Sequence, residues 1–244
     1  MLKNRKIIIT GAASGIGKEM VKQCLQEGAA VIACDINEDS LHELKQAMNG
    51  HEFLYTYPLD VSKYEEAVSF FAYVESEHAD ADSLVNNAGI YLAKNILDYQ
   101  EDEIDQVLNI NVKGFIYFTQ MFGQQLFSNQ RKGVIVNMSS VSGIEGSSDA
   151  IYGTSKAAIL GLTKSSAMNF SPYIRVNAVA PTIVNTPMMG VIPDWRKKEY
   201  VTHQLINTPV MPEDVADTVI FLLSDKSKHY TGATFDINNG GYLR

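Results

Sequence analysis

The stretch Lys6-Ile7-Ile8-Ile9-Thr10-Gly11-Ala12-Ala13-Ser14-Gly15-Ile16-Gly17 decides the fold. Its β-branched run, Ile7 to Ile9, reads as a short buried strand. The run passes directly into a glycine-rich turn, and a helical pattern follows from Lys18 to about Glu27. Strand, glycine turn and helix in that order form the setting of a dinucleotide-binding fingerprint. Gly11 permits a tight turn, Gly15 lets the backbone approach a phosphate, and Gly17 lets the helix pack against the strand. The helix start, with Ser14 and Ile16 in the same turn, offers free N–H groups and a partial positive charge to a pyrophosphate. The spacing is TGxxxGxG rather than GxGxxG, so the turn alone leaves open a glycine-rich turn without a ligand.

Outward from this unit, Ala29 to Asp35 forms a second strand ending in a carboxylate, with Ile36 beside it. An acid at that point accepts hydrogen bonds from the adenosine ribose hydroxyls and repels a 2′-phosphate. Position 14 holds Ser rather than a basic residue. Both features favour NAD over NADP. The alternative for Asp35 is a helix N-cap for the segment starting near Glu38. Phe53 to Leu59 reads as a third strand, ending at Asp60-Val61. Ser62 then resembles an N-cap, with Glu65 completing a capping box, for a helix running to about His78. Leu84-Val85 is a fourth strand and ends in Asn86-Asn87-Ala88-Gly89, where Ala and Gly allow close approach of a cofactor.

Glu101 to about Asn129 is helical, with a junction expected near Asn109-Ile110-Asn111. Val134 to Met138 is a fifth strand and leads to Ser139-Ser140. Ile174 to Val179 is a sixth and leads to Ala180-Pro181-Thr182. Residues 183–209 show no strand pattern and are expected to cover a substrate as a lid. Pro212 opens a helix with Glu213 and Asp214 in its first turn, and Thr234 to Ile237 is a last strand. Strands alternate with helices throughout. That pattern predicts an α/β fold: a Rossmann-like, doubly wound, mainly parallel sheet with helices on both faces, in one domain over 1–244. Ligands in such sheets bind at the carboxyl ends of the strands, where the polar motifs fall.

Tyr152-Gly153-Thr154-Ser155-Lys156 places a phenol and an ammonium four residues apart in a helix-favouring stretch, hence on one face. A cation about 4 Å from a phenol, at an effective dielectric of about 20, favours phenolate by roughly 4 kcal/mol. The expectation is a Tyr152 pKa lowered toward ~7, suited to acid–base catalysis.

Acidic residues outnumber basic ones 28 to 20, a net charge of −8, which argues against nucleic acid or an anionic membrane as the main partner. Cys24 and Cys34 form no CxxC, and the five histidines lack ligand spacing, so no metal site or disulfide framework is expected. The polar start, Met1 to Lys6, matches neither a signal peptide nor a membrane span. A cytoplasmic protein is the expectation.

With these motifs in this order, the chain resembles the short-chain dehydrogenase/reductase family: TGAASGIG (10–17), Asp35, LDV (59–61), NNAG (86–89), NVKG (111–114), MSS (138–140), YGTSK (152–156) and the closing strand through Gly241. The resemblance implies a seven-stranded sheet, NAD(P)-dependent oxidoreduction and a homotetramer with the 111–129 and 152–170 helices at a two-fold interface. It implies Tyr152 as general acid/base and Lys156 as the group that lowers its pKa and holds the nicotinamide ribose. Ser140 would bind the substrate oxygen, and Asn111 would hold a water in a proton relay. Asp60 and Val61 would contact the adenine. Asn87, Ala88 and Gly89 would line its ribose, with Pro181, Val184 and Thr186 on the nicotinamide side.

Three departures stand out. Thr182 follows Pro181 where the family has Gly, and the segment before Pro212 lacks the family's frequent Gly-Arg pair. The Ser140–Tyr152 spacing is one short, which leaves Ser139 as the alternative serine. The leading functional expectation is NAD-dependent interconversion of a secondary alcohol and a ketone. The rival is a 3-oxoacyl-thioester (acyl-carrier-protein) reductase. Asp35, Ser14, and Pro172-Tyr173 in place of an Arg speak against it. A rival of another class is a non-catalytic NAD-binding regulator. The Arg196-Lys197-Lys198 run is expected to be a solvated helix face. Glu145 and Asp149 either border the pocket or are exposed loop acids.

Overall fold

In the computed structural model, which describes residues 1–243, seven parallel strands form one sheet in the order β3-β2-β1-β4-β5-β6-β7. The strands are β1 (Lys6–Thr10), β2 (Ala30–Asp35), β3 (Leu54–Pro58), β4 (Ser83–Asn86), β5 (Gly133–Met138), β6 (Ile174–Pro181) and β7 (Thr234–Ile237). Alternation along each strand feeds two separate cores. Ile7, Ile9, Val31 and Ala33 face one layer with Met20, Leu41, Val215 and Val219. Ile8, Ile32 and Ile135 face the other, with Phe70, Phe71, Phe118 and Phe122. Successive side chains on a strand point to opposite faces, so each β-branched run must be covered twice.

The covering helices are α1 (Gly15–Gln26), α2 (Glu38–Ala47), α3 (Tyr64–Glu77), α4 (Glu101–Leu108), α5 (Phe115–Phe127), α6 (Ala150–Asn169), α7 (Asp194–Thr202) and α8 (Pro212–Leu223). The strand order reverses between β1 and β4, which pair in register from Ile7 against Ser83. This switch point opens a crevice at the carboxyl ends of the strands.

Two local readings are corrected. Helix α3 begins at Tyr64 with Lys63 at the N-cap, not at Ser62. The Asp60 carboxylate accepts both the backbone N–H of Ser62 (2.9 Å) and its hydroxyl (2.7 Å), so the serine is drawn back into the preceding turn. The cap of α2 is Asn37, whose side chain accepts from Ser40 N at 2.9 Å; it is not Asp35.

The expected junction near residue 109 is a π-helical turn, Asn109–Gly114, between α4 and α5. Residues 183–209 contain a short 3₁₀ turn, Pro187–Val191, and α7. A parallel bridge between Val184 and Val210 ties the two ends of this segment together. Its far end is stitched to the turn after β7, where Leu205 and Ile206 donate to Asn239 O at 2.8 and 3.1 Å. No helix among the described residues is long and apolar enough to cross a membrane. No group of three or more potential metal-ligating side chains occurs among them.

Candidate active site

The crevice has two connected halves. The first is lined by Gly11, Ser14, Gly15, Ile16, Gly17, Asp35, Ile36, Asp60, Val61, Asn87, Ala88, Gly89 and Thr186. Gly11 and Gly15 adopt positive φ, +61° and +50°, a region glycine enters without strain. A Cβ on Gly17 would stand 1.9 Å from Gly11 O, so helix and turn close only because it is absent. Helix α1 has no side-chain cap at Ser14 and no acid in its first turn. Its leading N–H groups and positive end therefore remain available to an anion. Asp35 borders the same space. One of its oxygens accepts Ala13 N (3.0 Å) and the other accepts Asn37 N (3.1 Å), so the carboxylate also braces the glycine turn. Asn87 braces it from the far side, donating to Thr10 O and Gly11 O at 3.0 Å each. These residues fit a dinucleotide: bare glycines and an uncapped helix start for the pyrophosphate, and a carboxylate with spare lone pairs for a ribose.

The second half is lined by Tyr91, Ser140, Val141, Ser142, Tyr152, Lys156, Pro181, Val184, Met188, Met189, Ile192 and Tyr200. Tyr152 and Lys156 share one face of α6, the ammonium 5.7 Å from the phenol ring centre. Ser140 lies on the same wall as Tyr152, near enough to favour its phenolate, while its hydroxyl donates to Pro181 O at 3.4 Å. Ser139 is turned away and donates to Lys156 O at 2.7 Å, which leaves Ser140 as the serine facing the phenol. The two halves meet at Ile16, Asn87, Gly89 and Thr186, so all the residues expected to touch a cofactor converge on one crevice.

One expectation changes. Lys156 Nζ donates to Met138 O (2.9 Å) rather than to the phenol. Burial dominates both groups: it pushes the Tyr152 phenol well above its ordinary value, and it pulls Lys156 down to about 8. At neutral pH Tyr152 therefore holds its proton, and the expected shift toward ~7 is not found. Asn111, fully buried, accepts from Ile90 N (2.8 Å) and donates to Ile90 O (2.9 Å) and Ser155 Oγ (3.1 Å). Its side chain is thus consumed in bracing the loop after β4 against α6.

Several residues are invisible in the sequence as site residues. Tyr91 stacks edge-on against Tyr152, ring centres 4.7 Å apart. Asp149 is fully buried, so it is neither an exposed loop acid nor a pocket wall. It caps α6 by accepting Tyr152 N (2.9 Å), and both its oxygens accept the Tyr99 hydroxyl at 2.8 Å. This carboxylate anchors the 90–99 loop to the helix that carries Tyr152. Arg196 is likewise not solvated: its side chain is 12% exposed and pairs with Glu199 at 2.7 Å. Thr182, which replaces the family's Gly, accepts from Gln204 Nε2 at 3.5 Å. That contact ties the end of β6 to the stitched end of the 183–209 segment.

A family model described as enoyl-(acyl carrier protein) reductase matches residues 11–242. The chain belongs to the short-chain dehydrogenase/reductase family. As a member it is an oxidoreductase acting on CH–OH groups with a nicotinamide cofactor. Its relatives include the 3-oxoacyl-[acyl-carrier-protein] reductase of Thermotoga maritima, 38% identical over 242 residues that cover 98% of each chain. Among solved structures, the chain resembles a Brucella melitensis protein described as a short-chain dehydrogenase/reductase, glucose/ribitol dehydrogenase. That match has TM-score 0.93 and 27% identity, covering 100% of this chain and 98% of that one. It also resembles a 3-ketoacyl-(acyl-carrier-protein) reductase from Brucella melitensis complexed with NADH, with TM-score 0.92 and 25% identity over the whole of both chains.

Proposed function

We propose that this enzyme reduces a 3-oxoacyl thioester to the 3-hydroxyacyl thioester, with NADH as the reductant. The observation that carries this reading is the full-length similarity to 3-oxoacyl-acyl-carrier-protein reductase at 38% identity, joined to a protonated Tyr152 beside Ser140 in one wall of the crevice. Asp35 counts against a reductase of this kind only if NADPH is obligatory. The Brucella reductase was solved with NADH, which supports NADH as the reductant of a reductase of this kind.

The reduced nicotinamide, when bound, supplies a hydride to the carbonyl carbon. Ser140 donates a hydrogen bond to the carbonyl oxygen and offsets the charge developing there. Tyr152 gives its proton to that oxygen, which completes the alcohol. Burial keeps the Tyr152 proton in place at neutral pH, and the oxygen that takes it is the strongly basic alkoxide formed by hydride addition. Lys156, still largely cationic with a pKa of about 8, stabilises the tyrosinate left behind and holds the nicotinamide ribose. Gly11, Gly15, Gly17 and the α1 start hold the pyrophosphate, and Asp35 holds the adenosine ribose. The chain acts as one dinucleotide-binding domain with 183–209 as the substrate lid. It works in the cytoplasm as a homotetramer, for which α6 offers Ala157, Ala158 and Gly161 on an exposed face with open space beside Gly161.

The second reading is a secondary-alcohol dehydrogenase. It is supported by the apolar wall of Val141, Met188, Met189 and Ile192 and by the protein described as glucose/ribitol dehydrogenase among the structural relatives. The deciding assay follows NADH oxidation with an acetoacetyl thioester, simple ketones and oxidised polyols, with Tyr152→Phe as control. Thioester turnover that exceeds the others and is lost in the control supports the proposal. Turnover confined to simple ketones or polyols overturns it in favour of the second reading.

A further inference from the structure

The only buried side-chain nitrogen or oxygen without a hydrogen-bond partner among the described residues is Arg196 Nε, on α7 in the lid. Buried polar groups are almost always satisfied, so an orphan calls for an explanation. The rest of this guanidinium is engaged. One terminal nitrogen donates to Glu199 (2.7 Å), the other donates to the Tyr200 hydroxyl (3.1 Å), and the group lies 4.5 Å from the Tyr200 ring centre. Tyr200 reaches back into the crevice, where its hydroxyl stands 3.4 Å from Ser142 Oγ. Ser142 is in turn fastened to Ser140, its backbone N–H donating to Ser140 Oγ at 3.2 Å. Tyr200 and Ser142 both line the same wall as Ser140 and Tyr152, amid apolar side chains. Beyond the hydroxyl pair that faces the reacting carbonyl, the wall thus carries a second hydroxyl pair.

We propose that Tyr200, oriented by Arg196 and paired with Ser142, is a second oxygen-recognition subsite that selects substrates bearing a further neutral oxygen a few bonds from the reacting carbon. A Tyr200 hydroxyl that accepts from Arg196 directs its own proton outward, to Ser142 or to a ligand oxygen. The ligand group is neutral because the cation is already matched. Glu199 pairs with Arg196 directly, and the Glu145 carboxylate stands within electrostatic reach of the same guanidinium. A thioester carbonyl, an ester carbonyl or a hydroxyl fits this chemistry; a carboxylate or phosphate does not. The inference deepens the thioester-reductase reading, and it rests on that reading for the placement of the reacting carbonyl at Ser140.

The test uses enzyme saturated with NAD⁺, in which a ketone binds without reacting. Calorimetry compares ethyl acetoacetate, which has the second oxygen, with 2-hexanone, which lacks it. The wild type is expected to prefer ethyl acetoacetate by about tenfold, because a site built to bond an oxygen is left unpaired by an analogue without one. Tyr200→Phe is expected to collapse that ratio to near unity, and Arg196→Met to reduce it several-fold with the Tyr200 ring still in place. A wild-type ratio near unity, or a ratio that survives in both variants, overturns the subsite. If acetoacetyl thioester is not turned over but the ratio remains Tyr200-dependent, the reductase reading fails and the subsite stands.

Discussion

Asp35→Asn is the substitution that separates charge from structure at the cofactor end. Asp35 does two jobs: it presents a negative charge to the ribose side of the crevice, and it accepts backbone N–H groups from Ala13 and Asn37. Alanine would remove both at once and loosen the glycine turn for either cofactor. Asparagine keeps one acceptor for Ala13 and removes the charge. A carboxylate about 6 Å from one phosphate charge, at an effective dielectric of about 20, repels it by about 3 kcal/mol. Asp35 is partly exposed at an open crevice, so half of that, about 1.5 kcal/mol, is the working figure. NADH loses the difference between a charged and a neutral hydrogen bond, about 1 kcal/mol. The sum, about 2.5 kcal/mol, moves the NADPH-to-NADH ratio of kcat/KM upward by about 50–100-fold. Steady-state kinetics with both cofactors on the same ketone measure it. A ratio unchanged in Asp35→Asn, or an equal loss with both cofactors, would refute the claim that this charge sets the preference.

Tyr152→Phe removes the proton donor with little change of shape, so kcat falls by about 10²–10⁴ while NADH binding, followed by fluorescence, is retained; retained activity would show that another group delivers the proton. Asp149→Ala takes away the α6 cap, about 1 kcal/mol, and strands the buried Tyr99 hydroxyl, about 1–3 kcal/mol. At about 2–4 °C per kcal/mol for a chain of this size, the melting temperature drops by about 5–15 °C. A shift of a degree or two would mean that the Asp149–Tyr99 contact does not hold the 90–99 loop. His78 is buried between Tyr73, whose hydroxyl lies 2.9 Å from Nε2, and Lys6, 3.4 Å from Nδ1, with Asp80, Glu77 and the Tyr55 ring around it. Burial first, and Lys6 second, hold its pKa below 6.5, so the unfolded chain takes up the proton more readily than the folded one. The stabilisation is present above about pH 6.5 and is lost as the pH falls through the lower, folded value, at no more than ~1.4 kcal/mol per pH unit. Melting curves between pH 7 and 5 are expected to fall less steeply in His78→Asn, and parallel curves would discount the histidine.

Much of the fold and the cofactor end of the site is legible in the amino-acid order because the signals are local. Ile7 to Ile9, the glycines that follow and the helix after them each depend on neighbours only a few residues away. Asp35, Asn87 and Tyr152 sit at strand ends or on helix faces that the topology gathers to one edge. What the sequence conceals depends on distant partners. The Ser62-to-Glu65 spacing is a legitimate capping box, yet Asp60 competes for the same hydroxyl and wins. The Tyr152–Lys156 spacing shows that the two groups share a face. It does not show that Met138 O captures the ammonium or that burial outweighs the cation. Asp149 has the local setting of a loop acid, and only Tyr99, fifty residues earlier, makes it a buried anchor. Residues 183–209 carry no periodicity because they pack against several loops rather than one core face, so nothing near Tyr200 and Arg196 in the chain signals where they fall.

The Val184–Val210 bridge and the bonds from Leu205 and Ile206 to Asn239 give residues 183–209 a fixed perimeter. Everything between those anchor points can change in length or composition without disturbing a strand register, because none of it contributes to the sheet. The segment is in effect an interchangeable cassette: a relative's equivalent, joined at the same two anchors, would carry its own substrate preference onto this chain's hydride-transfer machinery. On the same grounds, drift in what the enzyme accepts is expected to accumulate between residues 187 and 203. The glycine turn and the face of α6 that bears Tyr152 would stay as they are.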